Sequence, residues 1–225
     1  MQPQLNRRRF LLAAGANVFC GRAPITGSAN NAQRWIVAIG GCGGNLLDAL
    51  YARGLQRFAT FPQVRSMRID YSTSDSEFRS RTADIHVRLH ERYCGSGGDP
   101  EQSAADFATQ SCGISRHLND AAGVLILAGI GGGTGYAATL ALTRQLSARA
   151  TPRMVIAVTP FEFEQASQQT VMRLINLRSF ASVAPIPLSS LISNDDEPIE
   201  WVFQRSEQAV ATACLTWISR QFCGT

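Results

Sequence analysis

Short apolar runs alternate along this chain with stretches in which apolar residues recur every three or four positions. Trp35 to Ile39 is one compact apolar run, and Leu46, Leu47, Leu50 and Leu55 follow it at helical spacing. Val124 to Ala128 is another, followed by a helical pattern that runs to about Arg149. Short apolar runs bounded by turn residues read as buried strands, and a period near 3.6 reads as helix. The pattern predicts strands at 35–39, 64–69, near 85–89, 123–128, 153–158 and near 184–187. It predicts helices at 45–57, 100–111, 114–120, 136–149, 165–181 and from about 198 to 222. Such alternation implies an α/β fold, a mostly parallel sheet with helices on both faces. No internal repeat is visible.

Three of the predicted helices open on glycine-rich segments. Gly40, Gly41, Cys42, Gly43, Gly44 and Asn45 follow the first strand, and Gly131, Gly132, Gly133, Thr134 and Gly135 follow the strand at 123–128. The third segment is Gly95, Ser96, Gly97, Gly98, Asp99, Pro100 and Glu101, in which Asp99 suits a helix N-cap and Pro100 the first helical turn. A strand, a glycine turn and a helix in succession expose backbone N–H groups at the positive end of the helix, and glycine lets a phosphate approach them. Thr134 adds a hydroxyl donor. Ligands in parallel sheets sit at the carboxyl ends of the strands, where these loops begin, so the loops together could surround a polyphosphate.

Composition removes several alternatives. All 21 basic side chains are arginine, so a P-loop lysine, a kinase lysine and a Schiff-base lysine are excluded. Five arginines and no acidic residue fall within the first 34 positions, and the rest carries 16 arginines against 17 acids. The bulk of the chain is therefore near neutral, without the basic face of a nucleic-acid-binding domain, and no nucleic acid is expected as partner. At 225 residues it fits one ordinary domain. Its six cysteines form no C-x-x-C pair and read as reduced, mostly buried residues, with Cys42 set apart by its glycine loop.

Residues 1–33 read as a separate leader. Arg7, Arg8, Arg9, Phe10, Leu11 and Leu12 resemble a twin-arginine export signal, and a weakly apolar stretch follows that is too short to span a membrane. Three readings stand: an export signal, a segment touching a membrane surface, or a disordered extension. Residues 34–225 form the folded domain, expected in the cytoplasm unless the leader directs export.

The motifs of this domain resemble the nucleotide-binding domain of the FtsZ/tubulin superfamily. Gly131 to Gly135 meets the GGGTGxG signature as far as its second-last position, and Gly40 to Asn45 resembles the first FtsZ loop. Gly95 to Glu101 resembles the stretch ending in Asn-Pro-Glu, and Pro160 to Glu164 resembles the segment after the fifth strand. The resemblance implies a Rossmann-like fold that binds GTP or GDP, with Mg2+ as a possible companion. It implies that Gly41 to Asn45 and Gly133 to Gly135 hold the α- and β-phosphates, with Gly40, Gly131 and Gly132 in the same loops. Gly97 and Gly98 would sense the γ-phosphate, Glu164 would meet ribose, Phe203 would stack on the base and Glu207 would face its edge.

Departures from the family pattern are also visible. Ala137 replaces the last signature glycine, and Tyr136 sets a bulky ring where phosphates are expected. Gln168 stands at the family's arginine, Leu188 at a base-contacting asparagine, and Asp99 puts a carboxylate near the γ-phosphate. The sequence stops at Thr225, before the family's acidic catalytic loop and second domain. These features imply weak or no intrinsic hydrolysis and a role as regulator or cap of a full-length FtsZ/tubulin-type partner. A scaffold without nucleotide is the first alternative. A dinucleotide-binding oxidoreductase is the second, although the G-x-G-x-x-G fingerprint is missing from all three loops.

Smaller constellations carry less. His86 and His90 lie four apart, but the alternation of Ile85, Val87 and Leu89 argues for a strand with the histidines outward rather than a metal pair. Asp70 follows a strand and could contact ribose or simply begin a turn, Asp75 is an equal candidate for the family's aspartate, and Asp195 to Glu197 read as a solvated helix start. Ser96 lies between glycines but does not complete a Gly-x-Ser-x-Gly elbow. Trp201, Val210 and Trp217 suggest a helix face packed in the core. No catalytic residue is assigned.

Overall fold

The computed structural model describes residues 33–55, 64–71, 83–90, 96–164, 167–192 and 198–222. Residues 1–32, Asp75, Gly95, the run Asp195 to Glu197 and Cys20, Cys94 and Cys223 lie outside the described residues, as does the side chain of Trp217.

Among the described residues six strands form one sheet: β1 (Arg34–Ile39), β2 (Val64–Asp70), β3 (Ile85–Arg88), β4 (Gly123–Gly129), β5 (Arg153–Thr159) and β6 (Ser182–Pro187). Their order is β3-β2-β1-β4-β5-β6, and every neighbouring pair is parallel. Among the described residues five α-helices cover the sheet: α1 (Gly40–Leu50), α2 (Pro100–Leu118), α3 (Gly133–Ala148), α4 (Ser167–Arg178) and α5 (Ile199–Phe222). The sheet is thus wholly parallel among the described strands, and the α/β expectation holds.

Side-chain alternation explains the two layers. Trp35, Val37 and Ile39 of β1 point into one core with Phe107, Ile114 and Leu118 of α2, Leu142 and Leu146 of α3 and Leu177 of α4. Ile36 and Ala38 point the other way, onto Leu46, Leu47 and Leu50 of α1 and Val202, Val210 and Ala211 of α5. A strand covered on both faces needs apolar residues at every position, which is why β1, β4 and β5 read as continuous runs.

Helix boundaries differ from the sequence pattern in instructive ways. α1 starts at Gly40 and α3 at Gly133, several residues before the predicted starts. Glycines carry no side chain, so the first helical turns leave no apolar period to read. The predicted break near Gly113 is absent, and α2 runs through it. Phe107, Ile114 and Leu118 stay on one buried face, and that packing exceeds the ~1 kcal/mol that an interior glycine costs. α1 stops at Leu50 rather than 57, passing into a short turn at Tyr51–Leu55 in which Gly54 has φ 106. Of the described cysteines Cys214 is buried as expected and Cys112 is exposed, against the expectation of a buried thiol; Cys42, set apart by its glycine loop, is exposed. Trp201 is also exposed rather than packed in the core.

Candidate functional site

A cleft of about 430 Å³ opens at the carboxyl ends of the strands. Ile39 of β1, Asp70 of β2, Gly129 of β4 and Val158 and Thr159 of β5 all reach it. β1 lies between β2 and β4, so the connections leaving β1 and β4 diverge here. Parallel sheets bind ligands at such switch points.

Two helices begin in this cleft. α1 follows β1 without a loop, and α3 follows β4 across Ile130 to Gly132. Their N-caps are Ile39 and Gly132, neither of which makes a side-chain cap, and neither first turn holds an acidic residue. The first N–H groups of a helix have no partner within it, and the helix dipole makes that end positive. Gly40, Gly41, Cys42, Gly131, Gly132, Gly133, Thr134 and Gly135 line the cleft around these two ends. The arrangement suits an anion that spans both.

Close backbone approach fixes glycine at two of these positions. A Cβ on Gly135 would fall well inside contact distance of the Gly129 carbonyl oxygen. A Cβ on Gly133 would meet Ser96 Oγ at 2.6 Å and the Gly98 carbonyl carbon at 2.7 Å. The third glycine loop is therefore seated against the start of α3. Ser96 Oγ lies 3.3 Å from Thr134 Oγ1, and both Ser96 and Gly98 line the cleft, while Gly97 does not. Asp99 turns away: its Oδ1 accepts from the N–H groups of Glu101 at 2.8 Å and Gln102 at 3.2 Å, capping α2. The carboxylate expected near a γ-phosphate is engaged with its own helix.

The opposite wall is less polar. Leu188 and Phe203 line it, and Phe203 meets the buried Phe161 edge-on, with ring centroids 5.5 Å apart. Glu164 also lines the cleft, and its Oε1 accepts from the Phe161 N–H at 2.9 Å. Glu207, Asn45, Gly43 and Gly44 are not part of the lining. Glu207 is hydrogen-bonded by the Asn45 side chain, which joins α5 to α1; burial, then the Asp48 charge, raise its pKa above the ordinary carboxylate value. Cys42 is exposed as a whole residue, but its Sγ lies against Gly129; desolvation of the sulfur there, then the Glu207 charge, push the thiol up to about 11. Burial raises the Asp70 carboxyl too, against the Tyr71 N–H that donates to Oδ1 at 2.8 Å and Arg68 at 3.6 Å from Oδ2.

Tyr136 does not enter the cleft. Its ring packs against the core with the Arg173 guanidinium 5.0 Å from its centroid, and its hydroxyl accepts from Asn176 Nδ2 at 2.9 Å. The crowding expected from this ring is therefore not observed. Sequence reasoning gave no role to Thr159 or Arg173 and set Ser96 aside. The strand-end position of Thr159 was a usable signal, as was the place of Ser96 in a glycine loop. Arg173 carried none, because its contacts depend on how α4 packs. Among the described residues no group of three or more His, Cys, Asp or Glu could hold a metal ion, and no helix is long and apolar enough to cross a membrane.

Comparison with known proteins agrees with this fold. The cell division protein FtsZ of Mycoplasmopsis pulmonis (strain UAB CTIP) is 26% identical over 129 residues, 57% of this chain and 32% of that protein. CetZ2 from Haloferax volcanii, a GTPγS-bound protofilament, superposes with a TM-score of 0.68 at 20% identity, over 84% of this chain and 59% of its own. An FtsZ variant from M. jannaschii superposes with a TM-score of 0.71 at 20% identity, over 84% of this chain and 57% of its own. This chain thus spans about a third of the length of the curated relative and under two thirds of those structures. Residues 34–192 match the Tubulin/FtsZ family, GTPase domain. The chain belongs to the Tubulin/FtsZ family.

Proposed function

We propose that the cleft binds a guanine nucleotide, GTP or GDP, with the phosphates across the starts of α1 and α3 and the base against Phe203 and Leu188. One observation carries this reading: two neighbouring helix starts, both without a capping side chain, open into a single cavity. Ser96, Gly98 and Thr134 supply further donors on the phosphate side, and Glu164 is the ribose contact. Glu207 lies one turn along α5 from Phe203, on the same side of the helix. Its carboxylate, once turned from Asn45, accepts from guanine N1–H and N2–H, which favours guanine over adenine.

Hydrolysis by this domain alone is slow in this reading. Phosphoryl transfer depends on positioned charge and an oriented water. No arginine lines the cleft among the described residues, and the chain has no lysine. The two lining carboxylates, Asp70 and Glu164, each accept from a backbone N–H. Magnesium typically rests on one or two carboxylates plus phosphate oxygens, and Asp70 is the carboxylate that fits such a place.

Thermal unfolding with GTP, GDP, ATP or NAD tests the reading. Ligand at a hundred times its Kd adds about 2.7 kcal/mol, or roughly 5–10 °C for a chain of this size. A rise of that order with GTP and GDP, and none with NAD, is expected. No rise with any of them contradicts the reading and favours a scaffold without ligand. A full-length FtsZ/tubulin-type protein is the proposed partner, as the related CetZ2 forms a protofilament. Adding this chain to FtsZ is expected to change GTP turnover or sedimentation; no change in either removes the partner.

A further inference from the structure

Arg173 places a cation behind the glycine turn rather than inside the cleft. The residue is 7% exposed. Its Nη1 donates to the carbonyl oxygens of Ile130 and Gly131, both at 2.6 Å, and its Nη2 donates to Gln169 Oε1 at 2.7 Å. The Tyr136 ring supports the guanidinium from one side, and Asn176 holds the Tyr136 hydroxyl. In a trans peptide the C=O and the following N–H lie in one plane and point in opposite directions. With the Ile130 and Gly131 carbonyls drawn to Arg173, the N–H groups of Gly131 and Gly132 face away from it. Both glycines line the cleft. Peptides flanked by glycine rotate with little steric resistance, and a rotated one would present a carbonyl oxygen to an anion.

Resting on the nucleotide reading, we propose that Arg173 is the positioning residue of the phosphate turn. It fixes two peptide planes with their N–H groups toward the phosphates. Its permanent charge, set one layer back, replaces the cation that Gln168 does not supply. Arg173 does not touch the nucleotide; it acts through the main chain. Tyr136 and Asn176 belong to the same device, so the bulky ring that departs from the family pattern becomes the seat of the cation.

The test compares Arg173→Met and Arg173→Lys with the wild-type chain. GTP and GDP are titrated calorimetrically, and guanosine, which has no phosphate, is followed by saturation-transfer NMR. Arg173→Met is expected to weaken GTP and GDP at least tenfold and to leave guanosine within twofold. Arg173→Lys, which keeps the charge and reaches one carbonyl, is expected to recover part of that loss. The amide signals of Gly131 and Gly132 should shift in both variants. Unchanged GTP affinity in Arg173→Met overturns the proposal, and so does an equal loss for guanosine, which marks a merely structural residue. If Arg173→Met does not fold, full GTP affinity in Arg173→Lys with unshifted amides overturns it. A wild-type chain that binds neither GTP nor GDP removes the nucleotide reading itself, and this inference with it.

Discussion

Gly132→Asp is expected to leave the fold intact and to lower GTP affinity at least about a hundredfold, which is about 2.7 kcal/mol. Gly132 is the N-cap of α3, with φ −84 and ψ 167, and a Cβ there would meet nothing within 4 Å. Aspartate is among the preferred N-cap residues and gains a few tenths of a kcal/mol over glycine by accepting from the first-turn amides. Those are the amides assigned to phosphate. A carboxylate in their place removes donors and adds like charge, which at 4 Å and an effective dielectric of 20 costs about 4 kcal/mol. Gly132→Asn caps the same amides without charge, and a smaller loss, about tenfold, is expected of it. Denaturant unfolding and calorimetric titration of both variants check the pair. Wild-type GTP affinity in a stable Gly132→Asp protein contradicts the assignment of phosphate to α3.

Gly135→Ala should instead damage the fold, by at least about 3 kcal/mol. Overpacking a formed core costs typically 1–3 kcal/mol when side chains can give way. Here the obstacle is the Gly129 carbonyl oxygen, a main-chain atom at the end of β4, so strand and helix must separate. A domain of ordinary stability holds only about 5–15 kcal/mol in total. The midpoint of thermal unfolding should fall by roughly 6–12 °C for a chain of this size. Gly41→Ala, at a position with open space, is the control and should stay within about 0.5 kcal/mol. Equal stability of the two variants would show that the approach of α3 to β4 is not as described.

The strands were legible because β1, β4 and β5 are apolar at nearly every position, a direct consequence of helices on both faces. The glycine segments were legible as phosphate loops because strand, glycine turn and helix is a local pattern. Their convergence needed the strand order, which sets β1 beside β4 and which no local pattern contains. The true starts of α1 and α3 were hidden, since Gly40 and Gly133 have no side chain to mark a period. Tyr136 was misjudged for a related reason. Position in the motif put its ring among phosphates, whereas the packing of α4 draws it to Arg173 and Asn176. Asn45 and Glu207, both expected to meet the ligand, are bonded to each other beside the cleft, a pairing across 162 positions that spacing cannot reveal.

A crystal structure of the chain with GTPγS is the most direct measurement of the central claim. Phosphate oxygens within about 3 Å of amide nitrogens at the starts of both α1 and α3 are expected, with Tyr136 still against Arg173. Phosphates touching only one of those helix starts, or a cleft that stays empty while the analogue binds elsewhere, would contradict it.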